Sequence, residues 1–223
     1  MKLYGHPVST TTRPVMLLAA EAKLPIEFIT VDLMKGEHHG EAFTKLNPLR
    51  MVPVLQDGDF VLTESSAILK YLADKADSPL YPKDPKKRAR VNERMDWFNS
   101  NFYKDWGYNL IYPQLFPHHK RATDEAHTGA LAWGKERSAA HLKALDESIL
   151  GGHPYVCGSE LTIADLFGAQ LVCVGETIGC KVAGYKNVDA WIKRIKALPS
   201  WAKVNEAADG WAASMRDKQF VTL

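Results

Sequence analysis

Residues 53–72 read PVLQDGDFVLTESSAILKYL. Two short apolar runs, Pro53–Gln56 and Phe60–Leu62, flank Asp57-Gly58, a dipeptide suited to the tight turn of a β-hairpin. The period then changes. Within Ser65–Ala73, the residues Ile68, Leu69 and Leu72 share one helical face. A hairpin that runs straight into a helix predicts two antiparallel strands with a helix laid back over them.

Working upstream, Lys2–Gly5 predicts a short strand. Val15, Leu18, Ala19 and Ala22 recur at helical spacing. Glu27–Val31 predicts a second strand, with Ile26, Phe28 and Val31 as its apolar positions. A polar loop, Asp32–Gly40, precedes a short helix over Glu41–Leu46. The order is β-α-β-α-β-β-α. Its first βαβ unit must be parallel and right-handed, and the hairpin adds an antiparallel edge. That is a thioredoxin-like arrangement, a mixed four-stranded sheet with helices on both faces.

Downstream, residues 76–88 read ADSPLYPKDPKKR, with three prolines and many charges, and predict a linker. Beyond it the pattern is helical throughout: Val91–Phe116, Asp124–Leu150, Thr162–Thr177, Val188–Ala197 and Trp201–Ala208. Thr162–Thr177 is apolar nearly all round and predicts the buried central helix. Thr162 with Asp165 three residues on is a variant capping box. The expected fold class is therefore α/β plus all-α: a thioredoxin-like domain over 1–77, a linker over 78–88, and a helical-bundle domain over 89–223.

Composition narrows the function classes. The 223 residues are 46% hydrophobic and 24% charged, an ordinary globular balance, with a formal charge of +2. So small a surplus gives no field for nucleic acid or an anionic membrane. No stretch has the length and apolarity of a membrane span, and no leader pattern precedes the first strand. Three cysteines without a C-x-x-C fit a reducing compartment, so a cytoplasmic location is expected. The eight histidines show no metal-ligand spacing, and no metal is expected.

Five blocks occur in a telling order: GHPVSTTTR (5–13), VDLMKGEHHGEAF (31–43), NPLRMVPVL (47–55), DGDFVLTESSAIL (57–69) and LTIADL (161–166). In order and spacing the chain resembles the cytosolic glutathione S-transferases of the serine type. It is most similar to the theta class, with phi-like features at its start. The resemblance implies a glutathione-binding first domain and a hydrophobic co-substrate site shared with the helical domain. It also implies a homodimer and transfer of the glutathione thiolate to small hydrophobic electrophiles. Two alternatives stay open: a non-catalytic glutathione-binding or ligand-carrier module, and a glutathione-dependent dehalogenase, peroxidase or isomerase.

A free thiol titrates near pKa ~8.5, so such a protein must favour the thiolate. A hydroxyl donor and the amides at a helix start both do this. Ser9 lies between the first strand and first helix, and by the family pattern is the activating serine. The plain alternative is that Ser9, Thr10 and Thr11 only cap the helix. Tyr4 is the rival donor, although its place inside a strand suits core packing. Arg13 matches the family arginine, either lending positive potential near the sulfur or serving an internal salt bridge. A cysteine at this junction would suit thiol–disulfide exchange; STTT stands there instead.

By the same resemblance, Glu64 and Ser65 receive the γ-glutamyl ammonium and carboxylate. Val52 and Pro53 supply the extended backbone beside the cysteinyl unit, with a cis bond before Pro53. His38, with His39 behind it, receives the glycyl carboxylate. Met51 departs from the pattern: it has no donor where the theta class tends to carry lysine, and Arg50 is the nearest substitute. Ser66 likewise stands where a basic residue is usual. Phe102, Tyr103, Trp106, Tyr108, Tyr112 and Phe116 crowd one helix. Tyr108 and Tyr112 are the candidates for the co-substrate pocket.

Overall fold

A computed structural model describes all residues, 1–223. The first half of the fold is a four-stranded sheet in the order β2-β1-β3-β4. Strand β1 is Lys2–Gly5, β2 Glu27–Thr30, β3 Val54–Asp57 and β4 Phe60–Leu62. β1 runs parallel to β2, with Leu3 opposite Phe28, and antiparallel to β3, with Leu3 opposite Leu55. Gly58 takes the left-handed φ of 64° that the hairpin turn requires.

Helices α1 (Arg13–Glu21) and α3 (Ser65–Lys75) cover one face, where Leu3, Val15, Leu18, Ile68 and Leu72 are buried. Helix α2 (Glu41–Leu46) covers the other, where Phe43 packs with Val31 and Val54. The mixed sheet with helices on both faces is the arrangement expected from the sequence.

Helix α4 (Pro85–Trp97) opens the helical half. It starts inside the stretch expected to be linker through residue 88. The prolines misled: Pro85 sits in the first turn, where its missing N–H costs nothing, and the Asp84 carboxylate accepts from the amides of Lys86 and Lys87 at 3.1 and 2.9 Å. The helix then continues through widened turns, Phe98–Phe102 and Lys104–Ile111, into α5 (Tyr112–Leu115). Helices α6 (Asp124–Ala144), α7 (Ile163–Cys173), α8 (Lys186–Lys196) and α9 (Trp201–Ser214) complete the bundle.

Every residue of α7 is buried. Its start is held by Asp165, whose carboxylate accepts from Thr162 N at 2.8 Å, Thr162 Oγ1 at 2.9 Å, Val156 N at 2.8 Å and Trp191 Nε1 at 3.0 Å. A buried carboxylate is tolerated because so many donors meet it. α1 packs on α7 and α9, so the two halves share one continuous core. No helix is long and apolar enough to cross a membrane. All three cysteines are free thiols.

Candidate active site

A cavity of about 380 Å³ lies between the sheet half and the helical half. Its first wall consists of chain segments at element ends: residues 8–11 after β1, 50–53 before β3, and 63–65 at the head of α3. Its second wall consists of side chains: Tyr103, Tyr108, Tyr112, Phe116, His118 and His119, with Trp211 from α9.

Ser9 is half-buried on the first wall. Its Oγ accepts weakly from Thr12 N at 3.3 Å, so it does cap the turn leading into α1. Thr11 Oγ1 lies 3.2 Å from Ser9 Oγ and donates to the Val52 carbonyl at 3.1 Å. Thr11 has only one hydroxyl proton, so the Ser9–Thr11 bond uses the proton of Ser9. Capping occupies a lone pair of Ser9, while donation uses its proton. The two readings of Ser9 are therefore compatible in one side chain.

Tyr4 does not line the cavity. Its hydroxyl donates to Gln56 Oε1 at 2.9 Å, and its ring packs with Val31, Phe43 and Val54 on the α2 side of the sheet. Arg13 does not line it either. The first turn of α1 points this residue into the helical half, where Nη1 donates to Gln170 Oε1 at 2.7 Å and Asn205 Oδ1 at 2.5 Å. Arg13 makes no ion pair, and burial lowers its pKa. In place of the expected salt bridge, Arg13 forms a hydrogen-bonded joint between the halves.

Val52, Pro53, Glu64, Ser65 and His38 all line the cavity. The Val52–Pro53 peptide is cis. Glu64 has a left-handed φ of 65°, unusual for a residue with a side chain, and strain of this kind collects at functional sites. It leaves the Glu64 carboxylate exposed while Ser65 is buried at the helix start. The N-terminus of α3 thus offers amides, a hydroxyl and a carboxylate at one point.

His38 sits in a single helical turn, Glu37–His39. Its Nδ1 is buried without a partner, and burial, then His39 and His118, hold its pKa below the ordinary value. His39 is exposed and does not line the cavity; it stacks on His38 with ring centroids 3.9 Å apart. Arg50 and Met51 are both at the rim and exposed. Asn47 holds this loop, donating to the Met51 carbonyl at 2.8 Å and accepting from Leu49 N at 3.0 Å.

On the second wall, Tyr108 and Tyr112 line the cavity, with rings 5.3 Å apart and nearly perpendicular. Tyr103 joins them, 5.2 Å from Tyr108. Residues five apart on a regular helix lie about 140° apart and would not meet. The widened turns bring them together. Gly107 is also required, because a Cβ there would meet Tyr103 ring carbons at 2.6 and 2.8 Å. Phe102 and Trp106 turn away into the core, where Trp106 Nε1 donates to the Val172 carbonyl at 3.2 Å. Phe116 extends the wall by stacking on Trp211 at 5.8 Å.

Sequence reasoning missed His118, His119 and Trp211 as wall residues, and took Thr10 and Thr11 only as caps. Only the aromatic residues that crowd this helix, with Tyr108, Tyr112 and Phe116 four apart along one face, point to this wall, and they stop one turn short of the histidines. No group of three or more His, Cys, Asp or Glu is placed to hold a metal ion.

Both halves of the chain are similar to known proteins. Residues 1–74 match the family model "Glutathione S-transferase, N-terminal domain", and residues 119–199 match "Glutathione S-transferase, C-terminal domain". The chain is 33% identical over 201 residues to human glutathione S-transferase theta-2B, covering 89% of this chain and 81% of that protein. A delta-class glutathione transferase from Nilaparvata lugens superposes with a TM-score of 0.80 at 34% identity, over 96% of this chain and 98% of that one. A glutathione transferase homologue from Drosophila mojavensis, solved with bound glutathione, gives a TM-score of 0.83 at 32% identity, over 100% and 98%.

Proposed function

The chain belongs to the glutathione S-transferase family, and from that premise we propose that Ser9 is the group that activates the glutathione thiol. The protein is a transferase that joins glutathione to electrophiles. In this reading the tripeptide extends along the first wall of the cavity. Ser65 and the α3 amides receive the γ-glutamyl carboxylate, and Glu64 receives the ammonium. The Val52 backbone pairs with the cysteinyl unit, and His38 takes the glycyl carboxylate.

The sulfur then lies at Ser9. The observation that carries this reading is the hydroxyl of Ser9, whose proton goes only to a neighbouring hydroxyl and is free to turn to a better acceptor. A hydrogen bond to a charged group is worth roughly 1.5–3 kcal/mol, which lowers a thiol pKa by about one to two units. The thiolate attacks an electrophilic carbon held against the aromatic wall. A C–S bond forms, and the electrophile loses its leaving group or gains a proton.

Ser9→Ala tests the assignment. The bound thiol pKa, read from thiolate absorbance against pH, rises by about one unit or more, while glutathione affinity changes little. Superimposable titrations of wild type and variant would remove Ser9 from the chemistry.

We also infer a homodimer. β4 is an edge strand, and its residues Phe60 and Val61 are 46% and 37% exposed. Gel filtration at micromolar concentration gives the dimer mass; a monomer there overturns this. Three free thiols fit a cytoplasmic location, checked by fractionation.

A further inference from the structure

Two chains of hydroxyl groups end on neighbouring residues of the turn before α1. One runs from Ser9 through Thr11 to the Val52 carbonyl. The other begins in the helical half. The phenols of Tyr103 and Tyr112 share a hydrogen bond, and Tyr112 donates to Thr10 Oγ1 at 3.0 Å. Tyr112 has a single phenolic proton, so the proton between the two phenols belongs to Tyr103. The direction is Tyr103 to Tyr112 to Thr10. Burial raises the pKa of both tyrosines, so both remain protonated donors.

Thr10 closes this chain as an acceptor, which leaves its own proton. It is only 5% exposed and is among the residues that line the cavity beside Ser9. The other threonines of the turn differ. Thr11 uses its proton on Val52. Thr12 is fully buried against Gly5 and lines no part of the cavity. Of the four residues 9–12, only Ser9 and Thr10 both line the cavity and keep a hydroxyl proton that no backbone carbonyl takes.

We propose that the Thr10 hydroxyl donates a second hydrogen bond to the glutathione sulfur, with Tyr112 and Tyr103 as positioning residues that aim and polarise it. This rests on the reading that the sulfur lies at Ser9. Donors in series strengthen one another by roughly 10–30% per bond. The arrangement also makes Tyr112 common to both walls: it lines the electrophile space and controls a donor to the thiolate.

The test is the thiolate titration of bound glutathione in five variants: Ser9→Ala, Thr10→Val, Thr10→Ser, Tyr112→Phe and the triple variant Thr10→Val/Tyr103→Phe/Tyr112→Phe. Thr10→Val raises the thiol pKa by about one unit, and Thr10→Ser titrates like wild type. The triple variant keeps the full rise, because the sulfur still lacks its donor although no phenol of the chain is left orphaned. Tyr112→Phe alone gives a smaller rise, and it carries the test if Thr10→Val does not fold.

A residue that only tethers the two halves behaves otherwise. Thr10→Val then leaves the titration unmoved, or its rise disappears in the triple variant once both phenols are gone; either result overturns the proposal, as does an unmoved Tyr112→Phe where that variant must decide. A shift in Ser9→Ala without one in Thr10→Val defeats Thr10 and spares Ser9. No shift in either defeats both.

Discussion

The two walls of the cavity are built by different means. The first wall is backbone and short polar side chains at element ends: Ser9 after β1, Val52 before β3, Ser65 at the head of α3. The sheet sets those ends, so their spacing is rigid and suits one ligand with charges at fixed distances. The second wall is aromatic side chains on a helix of widened turns, closed by Trp211 from far along the chain. Its shape depends on ring packing and can vary while the fold stays the same. In the proposed reading the first wall therefore suits glutathione, and the second suits the electrophile.

The largest expected effect that would break this comparison is at Gly107. An alanine Cβ would meet the Tyr103 ring at 2.6 Å and push it into the cavity or out of line. Overpacking of this kind costs about 1–3 kcal/mol, so kcat/KM for the electrophile falls about tenfold. Glutathione affinity, measured by calorimetry, stays within about twofold, because no first-wall residue moves. An equal loss on both substrates would show that the walls are not separable.

These walls also differ in how far the amino-acid sequence revealed them. The first was legible because strand ends and helix starts have local chemical signatures: Asp57-Gly58 for the hairpin, STTT before a helix, Glu64-Ser65 at another. The three elements that carry it, β1, β3 and α3, begin and end within two residues of their expected bounds. The second wall was half legible. The series 108, 112, 116 gave its direction, but Tyr103 joins only through widened turns, which have no sequence period of their own. Trp211 reaches the wall only through tertiary packing. The partners of Arg13 are hidden for the same reason: Gln170 and Asn205 come from distant helices. Pro85 was read as a breaker although position N1 welcomes it.

A smaller effect sharpens the comparison at His38. Burial and two neighbouring histidines hold its pKa below the ordinary value in the free protein. A glycyl carboxylate arriving beside it raises that pKa. The bound form then holds more protons than the free form between the two values, so binding strengthens as pH falls through that window. S-methylglutathione, which has no thiol to titrate, isolates the effect. Calorimetry in buffers of different ionisation enthalpy shows proton uptake in wild type and none in His38→Ala. The variant's KM for glutathione rises about fivefold with kcat little changed. Proton uptake that survives in His38→Ala removes His38 from the carboxylate site.

The smallest expected effect concerns Met51, where the first wall lacks a donor. Its side chain is 54% exposed at the rim, and its backbone is pinned by Asn47, so a substitution there changes the side chain without moving the loop. Methionine offers a glutathione carboxylate no proton. Met51→Lys adds an ammonium on a flexible stem, in solvent, where a charge pair is worth about 1 kcal/mol or less. KM for glutathione therefore falls about two- to threefold, and the gain fades above ~0.5 M salt as screening shortens the reach of the charge. The electrophile's KM stays unchanged, because the new charge is on the first wall. Arg50 decides the result. It lines the same rim with a left-handed φ of 57°, and the Arg50 amide donates to the Asn47 carbonyl at 2.9 Å. If its guanidinium already meets the carboxylate, Met51→Lys gives no gain, and Arg50→Ala raises KM instead. If both variants leave KM unchanged, this rim takes no part in binding the tripeptide, and the first wall ends at Val52.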